Sequence, residues 1–209
     1  MEPLETVSRV AAKTAPGRLH TFAQAHIVKA LEEIGSQRAI GRMKLSRDLH
    51  LGEGEARTLV KHLKSEGLIE VSKSGVALST AGRRLLSRLR AFMSEQVDVA
   101  STPLTVGHFN AAVRVRGVSD LVRYGLEQRD AALLAGARGA TTLIFNKNTL
   151  VIAGTREDAS KRDLSLLATL SKLDLKEGDI VIIGSADDRI SAELGAKTAA
   201  LELLRTRKS

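Results

Sequence analysis

Residues 45–86 read LSRDLHLGEGEARTLVKHLKSEGLIEVSKSGVALSTAGRRLL, and the architecture of the N-terminal half turns on this stretch. Between Gly54 and Gly67, Ala56, Leu59, Val60 and Leu63 recur at i, i+3, i+4 and i+7, one apolar face of a helix that Gly67 closes. The opposite surface offers Arg57, Thr58, Lys61, His62, Lys64 and Ser65. Beyond Gly67 the chain turns extended through Leu68, Ile69 and Val71, reverses at Lys73-Ser74-Gly75 and returns through Val76 and Leu78. Thr80 is placed to cap a further helix, Ala81 to Ser94, with Leu85, Leu86, Leu89 and Phe92 as its apolar positions.

Upstream, Ile27, Ala30, Leu31 and Ile34 give Phe22–Gly35 the same helical period. Arg42 to Leu45 reads as a short strand, and Ser46 as the N-cap of a short helix through Arg47, Asp48 and Leu49. Gly52 and Gly54 punctuate the turn before the main helix. Helix, short helix, helix and basic-tipped hairpin describe a winged helix-turn-helix, expected over residues 20–95.

The quoted stretch also resembles winged-helix transcription regulators, in which an "LKSEGLI" ending and an "LSTAG" entry to the last helix recur. The resemblance implies a duplex-DNA module and leaves the target sequence open. One helix fits the major groove, where Arg and Lys donors read base edges. Arg57, Thr58 and Lys61 lie where base contacts originate, and Arg47, Lys64, Lys73, Arg83 and Arg84 would meet phosphates. Solvated amphipathic faces, a protein-interaction module and RNA binding are the alternatives. His62 reads as a surface or packing residue.

Composition agrees with that division. The 209 residues carry a net charge of +8, of which residues 1–95 hold +6 and residues 96–209 only +2. The chain has no cysteine, which excludes disulfides, thiolate nucleophiles and Cys-ligated zinc. Aromatic residues make up 2%, too few for a base-stacking platform of the single-strand-binding kind. The first thirty residues hold no apolar run of the signal-peptide type, and no apolar run approaches a membrane span, so a soluble cytoplasmic protein is expected. Few Asn and Gln residues lean towards a thermophile.

The C-terminal half, residues 96–209, has a different texture. Val97–Thr105 reads as an inter-domain connection, and Phe109–Arg116 as a half-buried strand with Ala111, Val113 and Val115 inward and Arg114 and Arg116 outward. A helix with Leu126, Ala131, Leu134 and Ala135 ends at Gly136 and Gly139. Thr141–Phe145 and Thr149–Ala153 form a hairpin about Asn146-Lys147-Asn148. A Leu-striped helix (Leu166, Leu167, Leu170, Leu173), a strand over Asp179–Gly184 and an Ala-rich helix from Asp187 to Leu204 complete the chain. The expected class is α+β, a winged helix-turn-helix followed by a two-layer α/β sandwich. The segments "GLEQRDAALLAGARGATTLIF" and "GDIVIIGSADDRISAELGAKTAALELL" are similar to an archaeal family that joins a winged helix to a domain grouped with the GAD insert of aspartyl-tRNA synthetases. That resemblance implies architecture rather than chemistry.

Other candidate sites are sparse. Ser185 and Asp188 fit an S-x-x-[DE] helix cap, and the same helix start could receive an anion. Arg129 could bind an effector's carboxylate or phosphate, or pair with Asp130 to lock its helix onto the sheet. His20, His26, His50, His62 and His108 are scattered without metal-ligand spacing, and no nucleophile or nucleotide-loop motif is present, so neither metal nor cofactor is expected. The reading is a non-enzymatic transcriptional regulator that binds double-stranded DNA, expected as a homodimer, in which the C-terminal domain supplies dimerisation, the sensing of a small-molecule effector, or both. The helix around Arg83–Ser94 is a candidate for the dimer contact. An RNA- or translation-associated module and an enzyme acting on a phosphorylated metabolite are the other two readings.

Overall fold

The computed structural model describes residues 3–12 and 22–207, apart from the side chain of Leu164. His20 and the first two residues of the expected 20–95 domain lie outside the described residues. The chain divides into two compact units, Met1–Arg90 and Ala91–Ser209.

The first unit runs α1 (Pro3–Ala11), α2 (Gln24–Gly35), α3 (Arg42–Asp48), α4 (Glu53–Ser65), β1 (Ile69–Ser72), β2 (Gly75–Leu78) and α5 (Thr80–Phe92), the last ending just past the division. Leu59 and Leu63 of α4, Leu31 and Ile34 of α2, and Leu45 and Leu49 around α3 are fully buried, as their period requires. Helix α1 was not legible in the periodicity. It packs on α2 through buried Val7 and Val10, Gln24 Nε2 donates to Ser8 Oγ at 3.0 Å, and Arg9 pairs with Glu66 at 2.5 Å.

Three local expectations are corrected. Arg42–Leu45 is helical and opens α3; the strand stub is Ile40, whose N–H and carbonyl both bond Val76 at 2.9 Å. That exchange needs Gly75 (φ +124°), where a Cβ would stand 2.6 Å from Ile40 O. Ser46 is not an N-cap but a buried residue inside α3, its hydroxyl donating to Leu51 O at 2.6 Å and holding the turn into α4. The cap of α5 is Ser79 rather than Thr80: its Oγ accepts from Gly82 N–H at 3.0 Å and donates to Gly67 O at 2.6 Å.

The N-terminus of α2 is closed by an imidazole. His26 N–H donates to Ala23 O at 3.0 Å, and Ala23 N–H donates back to His26 Nδ1 at 3.1 Å. Burial pushes the His26 pKa below the ordinary value of about 6.5, and Nδ1 can accept only while it is unprotonated. Below that value the unfolded chain takes up a proton that the folded imidazole refuses. His26 therefore contributes stability that is whole above about pH 6.5 and falls as the pH drops towards its folded value. Urea midpoints from pH 5 to 8 should show this slope, and His26→Gln, a neutral acceptor, should flatten it. An unchanged slope in that variant would exclude His26 as its source.

The second unit is one antiparallel sheet ordered β3-β4-β7-β5-β6, from β3 (Val97–Val99), β4 (Phe109–Val115), β5 (Gly139–Asn146), β6 (Thr149–Ile152) and β7 (Ile180–Ala186). Helices α6 (Leu126–Leu134) and α8 (Arg189–Thr206) pack together on one face. The other face buries Ala112, Leu143, Val181 and Ile183 under Leu166 and Leu170 of α7 (Leu164–Leu170) and Leu173 beyond it. The α+β class holds.

Cover on both faces explains the first departure from expectation here, and strand pairing and cap geometry account for the others. Strand β4 is buried throughout except at Phe109 rather than half-exposed, and Arg114, 6% exposed, donates to the carbonyls of Leu173 and Asp174 below α7. Val97–Thr105 is not wholly a connection, since Val97–Val99 forms the edge strand. Asp188, not Ser185, caps α8, accepting from Ile190 and Ser191 N–H at 3.0 and 2.9 Å, while Ser185 is a buried residue of β7. The β5–β6 hairpin forms as expected, with Lys147 and Asn148 in the left-handed region.

Candidate nucleic-acid interface

The α3–α4 turn sets the orientation of the main helix. Gly52 N–H donates to Glu55 Oε2 at 2.9 Å, so one carboxylate of the first turn serves as a cap. With Ala56, Leu59, Val60 and Leu63 buried, the outer face of α4 carries Arg57, Thr58, Lys61, Lys64 and Ser65, all exposed. Thr58 Oγ1 donates to Gly54 O and Ser65 Oγ to His62 O, both at 2.9 Å, so both hydroxyls keep lone pairs towards solvent. His62 stands at the edge of this face. Its Nδ1 lies 3.2 Å from Val10 O and its ring packs edge-on against Phe22, a packing role.

Arg57 is brought together with Arg42, Met43 and Glu53 around a hollow between the starts of α3 and α4. Arg42 and Met43 were missed because Arg42–Leu45 was read as a strand; Met43 is 71% exposed. Lys73 occupies the tip of the β1–β2 hairpin, steadied by Ser72 Oγ and Ser74 Oγ 2.7 Å apart. Arg83 and Arg84 line a shallow groove on α5 with Thr80, Ser87 and Arg88. The i, i+4 spacing of Arg84 and Arg88 was the available signal for Arg88.

The cations read as DNA contacts stand without intramolecular partners. Among the described residues, the side chains of Arg47, Arg57, Lys61, Lys64, Lys73, Arg83 and Arg84 form no intramolecular ion pair or hydrogen bond, and all seven are exposed. Both units also hold paired cations: Lys44 with Asp48 in the first, and Arg116, Arg129, Arg138, Arg162, Arg189 and Arg205 each with a carboxylate in the second, where Arg123, Lys147, Arg156 and Lys172 are exposed and unpaired among the described residues. Arg57 and Lys61 are like charges at i, i+4, as are Arg84 and Arg88, arrangements that cost a few tenths of a kcal/mol each and that an anionic partner relieves.

The remaining candidates do not converge. Arg129 and Asp130 are both exposed on α6 and pair with each other at 3.0 Å, so they do not lock the helix onto the sheet. Ser185, 1% exposed, accepts from Val106 N–H at 3.4 Å and lies on the sheet face of Val181 and Ile183, away from α8. Among the described residues no three of His, Cys, Asp and Glu group as metal ligands, and no helix is long and apolar enough to cross a membrane.

A three-helix core closed by a two-stranded wing defines the first unit as a winged helix-turn-helix. Residues 26–93 match the family described as the CggR N-terminal DNA binding domain, and fold and match together support a DNA-binding transcriptional regulator. Residues 106–203 match a domain of unknown function, DUF4443. The central glycolytic genes regulator of Priestia megaterium (strain DSM 319 / IMG 1521) is 27% identical over 156 residues, 73% of this chain and 43% of that protein. The chain thus spans less than half the length of the curated relative it matches. A solved structure, a hypothetical protein from Pyrococcus horikoshii OT3, shares the fold with a TM-score of 0.74 at 23% identity, over 90% of this chain and 96% of that one.

Proposed function

We propose that this chain is a transcriptional regulator, rather than an enzyme, that binds duplex DNA. Helix α4 enters the major groove, with Arg57, Thr58 and Lys61 on base edges. Arg47, Lys64, Lys73, Arg83 and Arg84 meet phosphates. The observation that carries this reading is the set of seven exposed cations without intramolecular partners, all within the unit that matches a DNA-binding family. The chain acts as a pair, because two half-sites require two recognition helices. The C-terminal unit, whose sequence is similar to an archaeal family with a GAD-like domain, serves pairing, the sensing of a small effector, or both.

The test begins with a duplex site selected from random sequence. Arg57→Ala and Lys61→Ala should each weaken that site by about 1–3 kcal/mol and relax discrimination at one position. Lys73→Ala should weaken all duplexes alike and lower the salt slope by about one ion. Duplex DNA should outcompete structured RNA and transfer RNA. No duplex binding at low salt, or a preference for RNA, overturns the reading.

A further inference from the structure

The outer face of α6 is unusually apolar for an exposed helix. Leu126 is 48% exposed, Leu133 45% and Leu134 91%, with Tyr124, 66% exposed, just before the helix. The inner face is accounted for by Gln128 and Ala132, which are buried. Between the leucines stand Arg129 and Asp130, exposed and paired only with each other.

This arrangement reads the same in both directions. About the midpoint between residues 129 and 130, Leu126 is related to Leu133, and Arg129 to Asp130. A two-fold interface must be complementary to itself, since residue i on one copy meets j on the other while j meets i. If two α6 helices are laid antiparallel with the axis at that midpoint, Leu126 meets Leu133 of the second copy. Arg129 then faces the second copy's Asp130, in two symmetric ion pairs flanked by leucines. Leu134 reaches the start of the opposing helix, where Tyr124 stands. The spacing 126, 129/130, 133 keeps these positions on one helical stripe, and antiparallel macrodipoles favour the arrangement. The exposed face of α5 lacks this symmetry, because Arg83, Arg84 and Arg88 would meet their own kind across a two-fold axis.

We infer that the apolar face of α6 is the surface through which two copies of this chain pair. The inference rests on the reading that the regulator acts as a dimer, and it names the interface. Sedimentation equilibrium of the full chain should show a dimer. Arg129→Asp and Asp130→Arg, made separately, each put like charges across the axis and should weaken dimerisation at least tenfold.

Mixing those two variants restores opposite charges at every contact and should yield a heterodimer of near native affinity. The Arg129→Asp, Asp130→Arg double variant should dimerise with itself. A misfolded variant could not be rescued by a partner or by a second substitution. A monomeric native chain, or a dimer indifferent to either charge reversal, overturns the inference. Binding of each single variant to an isolated half-site duplex separates the two levels. Retained half-site binding leaves the DNA reading standing whatever the fate of the dimer, and loss of all duplex binding by the native chain would defeat that reading instead.

Discussion

Glu193→Ala is expected to destabilise the C-terminal unit by about 3–5 kcal/mol. Lys197, in the middle of α8, has no exposed surface, and its ammonium donates to Glu193 Oε1 at 2.8 Å and Gln96 Oε1 at 3.1 Å. Glu193 is itself only 4% exposed. A buried ion pair contributes little net stability over an apolar pair, because both charges lost their hydration on folding. Removing Glu193 takes from the buried ammonium the carboxylate 2.8 Å away that offsets its lost hydration, and that is the expensive state. Replacing both, as Glu193→Leu with Lys197→Met, should therefore recover most of the loss. Urea unfolding followed by amide exchange in β4 and β7 measures this in the second unit alone. A cost below about 1 kcal/mol for Glu193→Ala would show that the pair is not electrostatically required.

Gly184→Ala is the second large effect expected. Gly184 lies in β7, the central strand, with its missing side chain directed at α8. A Cβ there would stand 2.3 Å from Ala192 O, 2.7 Å from Ala196 N and 3.2 Å from Ala196 Cβ. The first two are helix backbone, which cannot rotate aside as a side-chain tip can, so α8 must lift from the sheet. An overpacked close-packed core loses about 3 kcal/mol in such cases. Gly54→Ala is the matching control, since its Cβ would meet nothing within 4 Å at the start of α4. Equal unfolding midpoints for the two variants would contradict the close approach of α8 to β7.

These contacts mark where reading residues in order runs out. The winged helix was legible because its helices and wing are bounded by local signals: i, i+3, i+4, i+7 leucines, Gly67 after α4, and Lys73-Ser74-Gly75 between strands. The exposed face of α4 followed directly, and the structure places Arg57, Thr58, Lys61 and Lys64 on it together. Arg42–Leu45 was misread because a four-residue apolar alternation carries no length to separate helix from strand. The contact that makes Ile40 the strand stub lies across the fold at Val76.

In the second half, alternation in β4 predicted one wet face. The arrival of α7, distant in sequence, buried that face and Arg114 with it. Ser185 looked like a cap by spacing from Asp188, but strand pairing extends through Ala186 and keeps it in the sheet. The pairing symmetry of α6 was present in the letters, yet its meaning depended on which residues the sheet left exposed.

Most element types, the basic face of α4 and the uneven charge between halves were settled by local chemistry. Backbone propensity, helical period and side-chain charge act over a few residues and need no distant partner. Strand order, the burial of Arg114, Glu193 and Lys197, the glycine contacts beneath α8 and the uncovered leucines of α6 were settled only by long-range packing. Burial belongs to the space between elements, and no single stretch of chain contains it.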